Sequence, residues 1–155
     1  MDNKLIRILF ICHGNICRST AAQMIMQHMV DEAGLTGRFE IDSAATSREE
    51  IGNPVYPPMR RALEAMGVPI LDHRARQAKS GEYERWDYIV GMDDENMWNI
   101  DQIFHGDPEG KCSRLMSWAE PGSQREVEDP WYTGRHADVA RQIERGCGAM
   151  LEQLI

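Results

Sequence analysis

Alternating apolar runs and helix-like segments are the main pattern of this chain. Residues 5–11 are almost continuously apolar, and only Arg7 interrupts them. A segment that is apolar on both sides of the chain is typical of a parallel strand buried on both faces of a sheet. Shorter apolar segments predict further strands at 39–45, at 86–91 and, more briefly, at 111–116.

The segments between these strands have helical character. A helix is predicted from Ser19 to about residue 30, ending at Gly34, and a second over residues 56–66, ending at Gly67. Acidic residues after Met92 suit the start of a third. From about Arg135 the chain is predicted to be helical to its end, with one apolar stripe of Val139, Ile143, Cys147, Met150 and Leu154. The pattern predicts an α/β fold, a single-domain doubly wound parallel sheet of about four strands over residues 1–155.

Composition narrows the possible partners and cofactors. The formal net charge of −8 disfavours nucleic acid and anionic membrane surfaces as partners, so any anion site must be local. Lys4 and Arg7 break the first apolar run, which is too short for a signal sequence, so we expect a cytoplasmic protein. We also expect a monomer. The four cysteines lack the spacing of a zinc site or the density of a disulfide scaffold, so neither metal nor cofactor is expected.

A loop between the first strand and the first helix carries the chemistry. It begins at Cys12 and ends at Arg18, and Gly14 and Asn15 are expected to permit unusual φ values. Amides at a helix N-terminus bind phosphate without a metal, so we expect the loop His13, Gly14, Asn15, Ile16, Cys17 and Arg18 to hold a phosphoryl group. Taken singly, each residue has an equal alternative, in which Cys12 is an inert strand-end cysteine and Arg18 a surface charge at a helix start. Their combination with the strand and the helix favours a phosphate site.

The residue types in this loop suit nucleophilic attack on phosphorus. Loop amides, the helix dipole and a guanidinium all favour a thiolate at Cys12. The planar fork of Arg18 suits two phosphoryl oxygens at once. Expulsion of an alcohol or phenol also needs an acid, and Asp129 is the candidate, because Pro130 favours extended backbone before it. An Asp-Pro turn without catalytic function is the alternative.

These segments resemble the low-molecular-weight protein tyrosine phosphatases over nearly the whole chain. The matching segments are 12–19, 42–46, 73–77, 86–89 with Met92, Asp93 and Asn96, and 128–132. The resemblance implies hydrolysis of phosphotyrosine in proteins, and of small aryl phosphates, through a cysteinyl-phosphate. In that reaction Cys12 would attack phosphorus, Arg18 would hold the phosphoryl group, and Asp129 would act first as acid and then as base.

The resemblance also assigns supporting residues. It implies a hydrogen-bond network of Asn15, Ser19, Ser43 and His73, with Ser19 donating to the thiolate. The residue types alone also allow a loop Asn, an N-cap Ser, a strand-end Ser and a partly exposed His. Cys17 resembles the family's second cysteine, which can form a disulfide with Cys12, although packing against the sheet is an equal alternative.

Two positions bear on the substrate. Many members of the family carry an aromatic residue where this chain has Glu49, which cannot stack on a substrate ring; Trp131 and Tyr132 remain to line the cleft. A charged rim suggests a preference for basic residues beside the phosphotyrosine. Ile16 favours phosphotyrosine over phosphoarginine, because the related protein-arginine phosphatases tend to carry Thr there.

Three other functions stay open at this point. A protein-arginine phosphatase would use the same loop. A thiol-dependent arsenate reductase would need further cysteines, which residues 78–92 lack. A non-catalytic phosphate-binding module would need neither the thiolate nor the acid.

Overall fold

A four-stranded parallel sheet forms the centre of the structure. In the computed structural model, which describes residues 4–155, its strands are β1 (Ile6–Cys12), β2 (Phe39–Ala45), β3 (Tyr88–Gly91) and β4 (Cys112–Arg114), in the spatial order β2-β1-β3-β4. The chain leaves β1 for β2 on one side and later continues as β3 on the other. Ligands of such sheets bind outside the carboxyl end of the strand where the direction reverses, and β1 ends there at Cys12.

Residues 4–155 contain six α-helices, and helices cover both faces of the sheet, as the sequence predicted for a doubly wound fold. Helix α3 lies on one face. The others that contribute to a hydrophobic core, α1, α2, α4 and α6, lie on the opposite face. Their bounds are α1 (Arg18–Glu32), α2 (Pro57–Ala65), α3 (Asp94–Phe104), α4 (Leu115–Ala119), α5 (Pro130–Thr133) and α6 (His136–Leu154).

The apolar residues that follow Arg7 in β1 contribute to both cores. Ile8 and Phe10 face α1 and α6, whereas Leu9 and Ile11 face α3, and all four side chains are fully buried. A strand alternates its side chains between the two faces of a sheet, so a strand covered on both faces must be apolar throughout. This packing holds the end of β1 rigidly below the loop that follows it.

Two predicted elements need correction at their ends. The strand predicted over 111–116 spans only Cys112–Arg114, because Leu115 and Met116 begin α4 and are buried against α6 instead. The strand predicted over 86–91 begins at Tyr88; Trp86 precedes it and fills the core on the α3 face. Both differences arise where tertiary packing outweighs local sequence preference.

The predicted final helix is present as α6, and most of its apolar stripe is buried. Val139, Ile143, Cys147 and Met150 are almost wholly buried against α1 and α4, whereas Leu154 is half-buried at the end. Across residues 4–155, no helix has the combined length and apolar character needed to cross a membrane.

Candidate active site

The loop between β1 and α1 closes around the carboxyl end of the sheet. Asn15 has φ of 59°, in the left-handed region that Asn tolerates better than most residues. Gly14 does not share this conformation, so the expectation of unusual φ was wrong for it. The missing side chain is what matters there, because a Cβ would lie 3.3 Å from Cγ of Glu50. The loop therefore depends on backbone freedom at one residue and close approach at the other.

The sulfur of Cys12 lies at the base of this loop beside the start of α1. Ser19 Oγ is 3.0 Å from Cys12 Sγ, and the Ser19 backbone N–H donates to the same sulfur over 3.4 Å. Cys12 is only 3% exposed, so these contacts take the place of water around the sulfur. Two donors at a helix N-terminus stabilise a thiolate.

Arg18 is buried and held in one orientation. Its Nη1 donates to Asp93 Oδ2 over 2.8 Å and to the Val127 carbonyl over 3.0 Å. Burial opposes its charge, but the opposite charges of Cys12, Asp93 and Asp129 outweigh burial and raise the pKa of Arg18. The guanidinium is therefore a fixed positive charge beside the sulfur.

Asp93 has a second function that the sequence did not indicate. Acidic residues after Met92 were expected only to favour a helix start, and Asp93 is the N-cap of α3, where its Oδ1 accepts from the Asn96 N–H over 2.7 Å. Its other carboxylate oxygen anchors Arg18. The sequence indicated the helix start, but it did not indicate the contact between Asp93 and Arg18, which lie 75 positions apart.

A buried hydrogen-bond network fixes the loop from behind. Asn15 Nδ2 donates to Ser19 Oγ over 2.8 Å and to Ser43 Oγ over 2.9 Å. The side-chain oxygen of Asn15 can only accept, so His73 Nε2, at 2.9 Å from it, must carry the hydrogen of that contact, while Ser43 donates its hydroxyl hydrogen to Gln23. Asn15, Ser19, Ser43 and His73, which the family resemblance links, thus lie in one connected network. Gln23 is a fifth member, which sequence analysis missed.

The protonation of His73 predicts a pH dependence of stability. Burial lowers the pKa of His73, against the opposing effect of Asp42. Between the unfolded pKa of about 6.5 and the lower folded pKa, the unfolded chain binds more protons, so the free energy of unfolding falls as pH drops below about 6.5. Urea unfolding from pH 7.5 to 5 should show this slope in the wild type and a smaller one in His73→Gln. An unchanged slope in the variant would contradict the assignment.

Asp129 lies across the cavity from the loop. It has the extended backbone expected before Pro130, and it caps α5 by accepting the Trp131 N–H on Oδ1 over 3.0 Å. Its Oδ2 is 3.6 Å from Arg18 Nη2. The carboxyl group and the guanidinium therefore lie on one cavity although they are more than 100 residues apart in the chain.

Aromatic rings form one wall of the cavity. The Trp131 ring lies 5.5 Å from that of Tyr56, and Tyr56 lies 5.6 Å from the His136 ring. Trp131 and Tyr132 were predicted to line the cleft; Tyr56 and His136 were missed, because neither stands in a motif. Three rings in contact give an apolar surface suited to a flat aryl group.

All of these groups meet at one cavity of about 330 Å³. It is lined by every predicted phosphate-loop residue, His13, Gly14, Asn15, Ile16, Cys17 and Arg18, together with Cys12, Asp129 and the rim residues Glu49, Trp131 and Tyr132. Ser19, Ser43 and His73 do not line it; they lie behind the loop in the network described above. The volume suits a phosphorylated ring rather than a folded partner.

Part of the cavity rim is acidic. Glu49 Oε2 lies 3.0 Å from His13 Nε2, and Glu95 Oε1 lies 3.8 Å from His13 Nδ1. Glu50 also lines the cavity. Glu49 is well exposed, so its charge faces any polypeptide that enters the cavity.

Cys17 shares the cavity but differs from Cys12 in its surroundings. Burial, reinforced by the nearby Cys12, raises the pKa of the Cys17 thiol, so Cys17 stays protonated near neutral pH. All four cysteines have free thiols. Within residues 4–155, no three His, Cys, Asp or Glu side chains are grouped so that they would hold a metal ion.

Comparison with known proteins identifies the family. A model of the low molecular weight phosphotyrosine protein phosphatases matches residues 7–155. The chain belongs to this family. It is 32% identical over 150 residues to the low molecular weight protein-tyrosine-phosphatase YfkJ of Bacillus subtilis, covering 97% of this chain and 96% of that protein.

Other members of the family give the same result. The human low molecular weight phosphotyrosine protein phosphatase is 34% identical over 150 residues, which is 94% of either chain. The crystal structure of YfkJ superposes with a TM-score of 0.92 over 97% of this chain and 95% of that one. The chain is thus an enzyme of the phosphotyrosine protein phosphatase family, and the alternative functions left open by the sequence are not needed.

Proposed function

We propose that Cys12, Arg18 and Asp129 carry out phosphotyrosine hydrolysis in this enzyme through a cysteinyl-phosphate. The phosphoryl group binds in the loop 13–18, where amides and the Arg18 fork hold its oxygens. The tyrosine ring lies against Trp131. This arrangement places the phosphorus above the Cys12 sulfur, with the ester oxygen toward Asp129.

The first step transfers the phosphoryl group to sulfur. The Cys12 thiolate forms the S–P bond as the P–O bond to the tyrosine breaks, and protonated Asp129 gives its proton to the departing phenolic oxygen. Arg18 stabilises the charge on the equatorial oxygens of the transition state. The products are a tyrosine hydroxyl and a phosphorylated Cys12.

The second step returns the enzyme to its starting state. Asp129, now ionised, takes a proton from a water molecule whose oxygen attacks phosphorus, and the S–P bond breaks to release inorganic phosphate and the Cys12 thiolate. Ser19, with its hydroxyl 3.0 Å from the sulfur, stabilises this leaving thiolate.

One observation carries the proposal. A single cavity brings together a sulfur with two donors, a guanidinium anchored by Asp93, and a carboxyl group 3.6 Å from that guanidinium. A site that only bound phosphate would need the guanidinium but neither of the other two groups.

Trapping the covalent intermediate tests this mechanism. Rapid quenching in denaturant at alkaline pH, where the S–P bond is stable, during turnover of an aryl phosphate should leave one phosphoryl group on the peptide that contains Cys12. Cys17→Ser should still be labelled, since Cys17 is a protonated thiol. A label on another residue, or none in a reaction that still releases phosphate, would refute the assigned nucleophile.

We further infer the setting in which the enzyme acts. Residues 1–155 form one domain, and the protein is a cytoplasmic monomer. Its substrates are phosphotyrosine-containing proteins, and it binds neither nucleic acid nor membranes. The net charge of −8 supports this inference, and so does the packing of both cores on the two faces of one sheet. Sedimentation at micromolar concentration checks the monomer.

The acidic rim predicts a preference for basic peptides. A phosphotyrosyl peptide with Lys beside the phosphotyrosine should have kcat/KM roughly 3- to 10-fold above its Glu counterpart at low salt, because Glu49 and Glu50 attract one and repel the other. Glu49→Gln should reduce the ratio, whereas Glu64→Gln, an exposed acid on α2, should leave it unchanged. Equal ratios in wild type and Glu49→Gln would contradict the role of the rim.

A further inference from the structure

The segment that carries Asp129 is held by a side chain outside the cavity. Helix α5 has only four residues, and a helix this short does not hold its own conformation in water. Its position must come from contacts with the rest of the protein, which include the burial of Pro130 and the contact of the Trp131 ring with Tyr56. Further contacts are made by Glu128, which does not line the cavity.

The Glu128 carboxylate, before α5, binds Thr133 at the end of α5 and Arg135 after it. Its Oε2 accepts from the Thr133 hydroxyl over 2.6 Å and from Arg135 Nε over 3.0 Å, and its Oε1 accepts from Arg135 Nη2. Two parallel bonds from one guanidinium fix the carboxylate in direction as well as in distance. The hydrogen bonds from Arg135 and Thr133 also lower the pKa of Glu128, so its carboxylate is charged throughout the neutral range. We call the contacts of Glu128 with Arg135 and Thr133 the clamp.

The residue before Glu128 is anchored to the sheet. The Val127 N–H donates to the Met92 carbonyl over 2.8 Å, and the Val127 carbonyl accepts from Arg18 Nη1 over 3.0 Å. Val127 is buried, so this end of the segment is fixed relative to β3 and to Arg18. Asp129 therefore lies between two fixed points. One is the hydrogen-bonded Val127, and the other is the contact of Glu128 with Arg135.

We propose that Glu128, paired with Arg135 and Thr133, is a positioning residue that sets the distance between the Asp129 carboxyl and the leaving-group oxygen. This inference rests on the acid role given to Asp129 above. Without the clamp, the contacts of Trp131 with Tyr56 and of Asp129 with Arg18 would remain, but Asp129 would sample more positions, including ones from which proton transfer is slow. A displacement of about 1 Å can cost up to about 100-fold in rate.

Leaving-group dependence distinguishes positioning of the acid from general loss of structure. Phenyl phosphate needs the proton to release its basic phenolate, whereas an aryl phosphate with several electron-withdrawing groups needs it much less. We expect Glu128→Ala to lower kcat/KM about 10-fold on phenyl phosphate and by less than about 3-fold on the activated ester. Glu128→Gln, which keeps the size but loses the charge, should show a smaller effect of the same kind.

Matched variants complete the test. Arg135→Gln should reproduce the steeper leaving-group dependence, and Arg135→Lys should restore part of the loss. Arg141→Gln removes another exposed arginine of this region, paired with Glu144 at 3.1 Å on α6, and should behave as wild type. In an Asp129→Ala background, Glu128→Ala should add no further loss, because the group that it positions is absent.

The possible failures are distinct. An equal loss on both esters, with or without a lower unfolding temperature, would overturn the positioning role, and so would a full additional loss in the Asp129→Ala background. If Asp129→Ala itself left the leaving-group dependence unchanged, the proposed acid would be wrong, and this inference would be overturned with it.

Discussion

Cys12→Ser should lower hydrolysis of aryl phosphates by at least about 10⁴-fold, the largest effect of any single substitution in this enzyme. A serine hydroxyl at this position would stay protonated, since the contacts around Cys12 stabilise an existing anion but include no base that would remove a proton. No S–P bond would form, and the reaction would lose its first step. Steady-state assays with a chelator present measure this loss directly.

Binding should survive in the same variant. The loop 13–18 and the anchoring of Arg18 by Asp93 do not involve the sulfur, so inorganic phosphate should bind Cys12→Ser with affinity similar to wild type. Calorimetric titration separates this outcome from unfolding. Cys112→Ser makes the same chemical change away from the cavity and should keep wild-type activity. Activity of Cys12→Ser within tenfold of wild type would refute the covalent mechanism.

Arg18→Lys should lower kcat/KM by about 10³-fold, although the charge is kept. Arg18 uses one nitrogen to bond Asp93 and the Val127 carbonyl while another lies toward Asp129 and the cavity. A lysine has one nitrogen and cannot make both sets of contacts. It would either bind Asp93 and leave the phosphoryl oxygens, or reach into the cavity and leave Asp93 without its partner.

Loss of phosphoryl binding and loss of the Asp93 contact can be measured separately. Loss of phosphoryl binding would appear as weaker titration by inorganic phosphate, and loss of the Asp93 contact as a lower unfolding temperature. Arg60→Lys, on the exposed side of α2 beside Glu64, is the matched control and should change neither. If Arg18→Lys had wild-type kcat/KM, bidentate phosphoryl binding by Arg18 would be excluded.

The hydrogen-bond network explains how the loop keeps its shape before substrate arrives. Asn15 is held in a left-handed conformation by bonds to Ser19, Ser43 and His73, each of which belongs to a different segment of the chain. The loop amides are therefore oriented in advance, so the enzyme does not need to reorganise them in the transition state.

The acid side of the cavity is built differently. Val127 is hydrogen-bonded to Met92 just after the end of β3, whereas Asp129 and α5 are held in part by the exposed contact of Glu128 with Arg135. Such exposed pairs are sensitive to salt. The position of Asp129 should consequently depend on ionic strength.

Local features of the sequence determined the strand, the loop and the helix that carry Cys12 and Arg18. The apolar run, the loop and the helix are contiguous, and their periodicity is set by the residues themselves. The same holds for α6, whose apolar stripe lies within one element, and for the doubly wound arrangement, which follows from the alternation of strand-like and helix-like segments along the chain. Asp129 was a candidate acid because Pro130 and two aromatic residues follow it, although an Asp-Pro pair alone more often marks a turn, and the family resemblance then implied its role.

Only the tertiary structure decided which distant groups complete the site. Asp93 meets Arg18 across 75 residues and Val127 meets it across 109, and neither distance leaves a periodic or local signal. Tyr56 and His136 join Trp131 only because α2 and α6 meet at the cavity. The shortening of β4 has the same cause: burial of Leu115 and Met116 against α6 contributes more than local strand preference, and such burial depends on the packed fold.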